Sequence, residues 1–345
     1  MSRAELLVDG RVLDDDHPGV RRFWVPVLRA WAEAGGRGLL AHRRGREPEA
    51  ELVSAGFSPV ELASGPGNPL AILATRRAVR ATGVRVTLSP LYFTLDGAPR
   101  NLATVFDLTG REYPRSPRSR WLWELAVWRT RRRASAVIAP SGVTSRELEA
   151  AFPVLRDRVG IVSAVAPPPP RPDAGLLASL GLAPPFVLAV ASHRSHKRLA
   201  ALVRAWRSGG PRPLLILVGA GTESLTAPPQ VLGLGFISDA AVEALLAAAG
   251  CLVSASRAEG FGLPVLAALA AGVPVVASRL PALEEVAGEA PLWFEPRNLN
   301  GLVVAATAIA QDPSRAADWV TRGRARAAEF TAARASAELA RAVRD

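Results

Sequence analysis

Short apolar runs of strand length alternate along the chain with stretches in which apolar residues recur every three to four positions. In the first half, the runs at 4–8, 38–41, 84–88, 101–106 and 136–139 predict strands, and the spacing over 22–34 and 69–81 predicts helices. In the second half, strands are expected at 186–191, 214–219, 231–234, 251–254, 273–277 and 292–294. Helices are expected at 199–206, 239–249, 264–271 and 299–310. The alanine- and arginine-rich tail, 314–344, reads as helical. Such alternation predicts parallel sheets covered on both faces by helices.

The run PPPPRP at 167–172 cannot supply donors to a helix or a sheet, and reads as a stiff linker. It divides the chain into a Rossmann-like domain over 1–166 and a second over 173–325. A last helix, 326–345, is expected to cross back to the first domain. Two doubly wound halves predict a cleft, with ligands beyond the carboxyl ends of the strands.

Composition narrows the class. At 345 residues, 49% of them hydrophobic, the chain can build two cores. No apolar run reaches the roughly 20 residues of a spanning helix. The N-terminal residues turn acidic too soon for a secretory signal, and Cys251 is the only cysteine, so no disulfide framework is expected. A cytoplasmic protein is the simplest expectation. The formal charge of +11 invites a nucleic-acid reading. The excess is arginine in an alanine-rich chain, as a GC-rich genome would produce, and no nucleic-acid motif or stacking pattern accompanies it. No nucleic-acid partner is expected, and the sequence sets no oligomeric state.

The charge is also clumped: 111–133 holds eight arginines against two glutamates. Within it Trp121, Leu122, Leu125 and Trp128 fall at helical spacing, and Trp123 lies on a second side. Two readings stand. One is a core-packing helix with solvated arginine ends, the expected one. The other is peripheral contact with an anionic membrane at its inner face, which would suit a lipid-linked acceptor.

The segment 259–276, EGFGLPVLAALAAGVPVV, carries the strongest chemical signal. Pro264 suits a first helical turn. Gly260 and Gly262 permit close backbone approach, and the N–H groups of that turn form an anion site. Glu259, just before them, can accept hydrogen bonds from sugar hydroxyls. An ordinary strand–loop–helix crossover would look similar taken alone.

The combination of motifs resembles glycosyltransferase family 4, retaining nucleotide-sugar transferases with the two-domain GT-B fold. Segments LGFISD at 234–239, LVGAG at 217–221, VASHRSHKRL at 190–199, 280–288 and FEP at 294–296 keep the family's order. The resemblance covers nearly all of the C-terminal half. It implies that Glu259 and Lys197 are catalytic, and that Ser192, Arg194, Arg198, Gly235, Phe236, Ile237, Gly260, Phe261, Gly262 and Leu263 bind the donor. Lys197 is the only lysine among 42 basic residues, and a compact ammonium is not interchangeable with a planar guanidinium. In the N-terminal half the resemblance is weaker. PGVRRF at 18–23 looks like the family's glycine loop, with Gly19 on the donor side and Arg21 on the acceptor side. VFDL at 105–108 adds Phe106 and Asp107 on the acceptor side, and APSG at 139–142 resembles the serine-bearing strand end.

Three positions depart from the family pattern. Ala267 stands where a second glutamate binds the donor ribose, Phe106 where a histidine touches the transferred sugar, and Ser192 where an arginine meets phosphate. A lost charge-assisted bond costs about 1.5–3 kcal/mol. The resemblance implies sugar transfer from a nucleoside diphosphate with retention, without a metal or other cofactor and without an enzymatic nucleophile. The departures also fit a catalytically impaired homologue that partners an active transferase. The run Asp14, Asp15, Asp16 reads as a solvated loop rather than a metal site, and His193 with His196 is a poor zinc pair.

Overall fold

The computed structural model describes residues 4–13, 17–63, 65 and 72–345. The run 14–16 and the start of the helix expected at 69–81 lie outside the described residues. The chain forms two compact units: Met1–Val165 with Phe330–Asp345, and Ala166–Glu329.

Among the described residues the first unit holds seven strands: β1 Leu6–Asp9, β2 Gly38–Arg43, β3 Ser58–Leu62, β4 Val86–Ser89, β5 Arg100–Thr104, β6 Ala136–Ala139 and β7 Val159–Ile161. They pair in parallel in the order β3-β2-β1-β4-β5-β6-β7. The central strands β1 and β4 are buried along their whole length, as a sheet covered on both faces requires. The edge strands β3 and β7 escape the hydrophobic pattern, because their residues are largely exposed or half-buried.

Two expectations change here. Residues 18–23 are the start of the helix Pro18–Glu33, not a loop. Proline at the first helical position and the apolar phasing of Val20, Phe23, Trp24 and Val27 start the helix there. The helical tail breaks between Ala317–Ala327 and Ala332–Arg344, so the last helix starts at Ala332 rather than at 326. Thr331 starts the second by accepting the N–H of Arg334 at 3.1 Å. That last helix packs against Pro18–Glu33. The Arg100 guanidinium donates to the carbonyl of Val343 at 2.8 Å, and the Ser163 N–H donates to Glu338 Oε2 at 2.7 Å.

The second unit holds β8 Phe186–Val190, β9 Leu214–Val218, β10 Val231–Gly233, β11 Cys251–Ser254, β12 Val275–Ser278 and β13 Leu292–Phe294. They are parallel in the order β10-β9-β8-β11-β12-β13. From β8 the chain winds outward to β9 and β10, then returns to start again at β11 on the other side. The boundary between β8 and β11 is therefore the topological switch point, where loops diverge and leave a crevice. Residues 162–173 form neither helix nor strand.

The helix Pro117–Arg133 overturns the core reading of 111–133. Trp121, Leu122, Leu125 and Trp128 are exposed, and the buried residues are Trp123, Val127 and Thr130. The wheel explains why: Arg118, Arg129 and Arg132 fall on the arc from Trp128 to Leu122, whereas no charge falls on the narrower arc from Thr130 through Trp123 to Val127. Among the described residues no helix is long and apolar enough to cross a membrane.

Candidate active site

Because the second unit's strands are parallel, the loops after β8, β9, β10 and β11 leave one edge of the sheet. The loop after β8 runs into a short 3-10 turn, Ser195–Lys197. The loop after β11 carries Ser256 and Glu259 into the helix Leu263–Ala271. A backbone bond from the Arg257 N–H to the His196 carbonyl, 2.7 Å, ties the two loops together. It brings Lys197 Nζ within 2.6 Å of Glu259 Oε2. The second carboxylate oxygen, Glu259 Oε1, accepts a hydrogen bond from Ser256 Oγ at 2.7 Å. The pair is mostly buried, with side-chain exposures of 19% and 13%. It lines a cavity of about 20 Å³ with Ser256, Gly262 and Pro264.

Ser256 escaped the sequence reading. It is buried and fixes the rotamer of Glu259, so that the carboxylate keeps one oxygen for the ammonium. Its signal was a hydroxyl three residues before the carboxylate, in a loop too short to carry it elsewhere.

Gly262 sits at φ +95°, and a Cβ there would lie 2.3 Å from Leu283 Cδ2. The left-handed turn aims the start of Leu263–Ala271 at the sheet edge. The N-cap residue, Gly262, makes no side-chain cap bond, and such a helix start carries backbone N–H groups and the positive end of the helix dipole. The side chain of Phe261 is buried, so what it offers a ligand is backbone. Ala267 lies one turn further along, half-buried.

The loops after β9 and β10 are stitched together. The N–H of Gly219 donates to the carbonyl of Gly235 at 2.8 Å. Buried Thr222 accepts the Gly235 N–H at 3.0 Å and donates to the Gly219 carbonyl at 2.8 Å. This holds Gly235, Phe236 and Ile237 on the site's edge of the sheet, with Phe236 54% exposed. On the loop after β8, Ser192 is half-buried and Arg194 exposed. Arg198 occupies the left-handed region at φ 55° and donates to the Pro296 carbonyl. Burial, then the charge of Arg257, holds its guanidinium below the usual arginine range. Arg198 is therefore engaged with 294–296 rather than extended over the crevice.

The histidines separate: His196 is buried and His193 exposed. Among the described residues no group of three His, Cys, Asp or Glu side chains is placed to hold a metal ion.

The first unit's residues of interest are held locally. A Cβ at Gly19 would meet nothing within 4 Å, so packing in that unit does not require a glycine there. Arg21 is bidentate to Glu49, Nε–Oε2 2.7 Å and Nη2–Oε1 3.0 Å. Phe106 packs edge-on against Phe23, centroids 5.1 Å apart. Asp107 Oδ1 accepts the N–H of Thr109 at 2.9 Å and its hydroxyl at 2.6 Å. Burial, followed by the charges of Glu112 and Asp107, raises the carboxyl of Glu147 above its usual range. Ser141, at the end of the β6 crossover, caps the helix Gly142–Ala151 by accepting the Thr144 N–H at 3.1 Å.

Known proteins share this architecture. Residues 179–326, inside the second unit, match the family described as "Glycosyl transferases group 1". Over 98 residues the chain is 39% identical to the O-antigen chain mannosyltransferase B of Escherichia coli, covering 28% of this chain and 26% of that protein. Over 96 residues it is 36% identical to an MMP alpha-(1->4)-mannosyltransferase of Mycolicibacterium hassiacum, covering 27% and 23%. The chain thus spans about a quarter of the length of these curated relatives. Among solved structures, Anabaena HepE in complex with UDP and glucose superposes with a TM-score of 0.76 at 18% identity, over 99% of both chains. A sucrose-phosphate synthase from Thermosynechococcus elongatus gives 0.75 at 19% identity, over 99% and 98%. At these identities the likeness establishes the fold: two Rossmann-like parallel-sheet units of the GT-B type.

Proposed function

We propose that the protein is a glycosyltransferase that moves a sugar from a nucleoside-diphosphate donor to a hydroxyl acceptor with retention of anomeric configuration. One observation carries this reading: the Lys197 ammonium and the Glu259 carboxylate meet at the switch point, beside a helix start whose N-cap residue makes no side-chain cap bond. A diphosphate needs cationic and N–H donors, and a sugar needs acceptors; this crevice offers both within one residue's reach.

In this reading Lys197 and the amides of residues 261–263 take up charge as the anomeric carbon–oxygen bond breaks and the diphosphate leaves. Glu259, oriented by Ser256, holds sugar hydroxyls. The acceptor oxygen bonds to the anomeric carbon on the face the diphosphate vacates, and its proton passes to the departing phosphate oxygen. The step needs no metal, no other cofactor and no enzymatic nucleophile. Phe236 and the backbone of Gly235 and Ile237 frame the nucleoside. Ser192, Arg194 and Gly19 belong to the donor side, while Arg21, Phe106 and Asp107 belong to the acceptor side. The names of the curated relatives make a nucleoside-diphosphate mannose the first donor to try and a polysaccharide chain the first acceptor; a lipid-linked glycan is the second acceptor to try. The proposed setting is the cytoplasm.

Isothermal titration against a panel of nucleotide sugars tests the reading. Folded protein that binds none of them would sink it.

Ala267, Phe106 and Ser192 favour a second reading, a homologue that binds donor weakly and supports an active transferase. In particular, Phe106 packs on Phe23 and carries no polar group toward a sugar. Donor hydrolysis or transfer by the isolated chain, abolished in Glu259→Ala, rules that reading out.

A further inference from the structure

The helix Pro117–Arg133 shows solvent a face that carries none of the residues assigned above to sugar transfer. Trp121 is 62% exposed, Leu122 49%, Leu125 45% and Trp128 44%. Ten large hydrophobics are exposed among the described residues; four share this helix and the other six are scattered. Scattered exposure is ordinary, whereas a contiguous patch marks a docking surface. At about 100° per residue these four fall within an arc of about 120°, opposite the buried Trp123, Val127 and Thr130.

Cations are interleaved with the apolar groups. Arg118, Arg132 and Arg133 are exposed, and the Arg132 guanidinium stands 4.6 Å over the Trp128 ring. The helix's one acid, Glu124, is paired with Arg111 at 3.2 Å. Beside the face runs a groove of about 1110 Å³, lined by Tyr92, Phe93, Leu122, Leu125, Trp128 and Arg129.

We propose that this face docks the protein on an anionic phospholipid bilayer. Tryptophan and leucine at one depth suit the boundary between headgroups and acyl chains, and arginines on the same arc reach the phosphates. Charge decides against a second copy of the chain, since a two-fold interface would oppose identical arginines. The proposal stands independently of the sugar-transfer reading.

Vesicle flotation tests it, with phosphatidylcholine vesicles compared against vesicles also containing phosphatidylglycerol. Wild-type protein should float with the anionic vesicles, and less so as salt rises. Two variants at exposed positions, Trp121→Ala/Leu125→Ala and Arg118→Glu/Arg132→Glu, should each weaken partitioning at least about tenfold, with circular dichroism unchanged. Equal partitioning to both vesicle types, no partitioning, or partitioning unchanged in both variants overturns the proposal. So does a dimer in sedimentation velocity that Trp121→Ala/Leu125→Ala dissolves, which would make the face an interface between copies. Donor titration with the same variants should match wild type.

Discussion

Lys197 Nζ and Glu259 Oε2 lie 2.6 Å apart although 62 residues separate them in the chain. Neighbouring parallel strands bring them together: β8 and β11 end side by side, and each releases one of the two loops. In the proposed reading, the pair gives each residue a preformed partner until a donor supplies phosphate to one and hydroxyls to the other. Breaking it should cost donor binding more than fold. Lys197→Ala and Glu259→Ala are each expected to weaken nucleotide-sugar affinity by about one to two decades, the loss of about 1.5–3 kcal/mol of charge-assisted bonding. The double variant should lose less than the sum, because the singles each strand a partner. Calorimetric titration of all four proteins closes the cycle; strict additivity would mean that the ion pair does not couple their contributions to donor binding.

The first unit holds a more deeply buried pair. Arg11 Nε lies 2.7 Å from Asp9 Oδ1, with side-chain exposures of 4% and 1%, and Arg11 Nη2 lies 2.8 Å from Asp9 Oδ2. Asp9 ends the central strand β1, so an uncompensated carboxylate there would sit at the sheet's middle. Arg11→Ala should destabilise by about 3–5 kcal/mol, while Asp9→Asn/Arg11→Met should recover much of that. Thermal scans of both variants check it. If the single variant melts like wild type, the pair contributes little.

Sequence reading reached the second unit's six strands, which are mostly apolar, and four of its helices, which begin at recognisable residues; the short helices Ala174–Ser179 and Pro281–Ala287 escaped it. Ser238 and Asn298 cap helices by accepting the N–H groups of Ala241 and Gly301. The first unit was legible at its centre and not at its rims. Strands β3 and β7 carry Ser58, Pro59, Glu61 and Gly160, and edge strands need no continuous apolar run. Pairing across 62 residues was likewise beyond a motif: the residues could be named, but the bond from Arg257 to His196 that aligns them is backbone. The helix Pro117–Arg133 misled for a plain reason. It is apolar on both sides, so spacing alone could not tell which side faces the core.

Cys251 gives a check on the second unit's core. It is fully buried in β11, and burial pushes its thiol up to about 12. The thiolate is the reactive form, so at pH 8 the folded protein should be inert to an aromatic disulfide reagent. One thiol per chain should react promptly in guanidinium. Titration of the native protein at the denatured rate would place Cys251 at the surface and contradict the buried strand.

Ala267 offers a gain-of-function test of the donor site. It lies half-buried on the helix Leu263–Ala271, one turn beyond the helix mouth. Glutamate is nearly as good a helix former as alanine, so the backbone cost of Ala267→Glu is a few tenths of a kcal/mol. In the family that the chain resembles, a glutamate at this position binds the donor ribose, so a carboxylate in Ala267→Glu could accept two of its hydroxyls. Charge-assisted bonds of that kind contribute about 1.5–3 kcal/mol. The expected outcome is a nucleotide-sugar affinity about tenfold tighter in Ala267→Glu, while free sugar binding stays unchanged. The same substitution in Glu259→Ala should tighten nucleotide binding equally, because the two carboxylates hold different parts of the donor. Weaker binding in Ala267→Glu would mean that a negative charge at 267 repels the diphosphate, and that the ribose is held elsewhere.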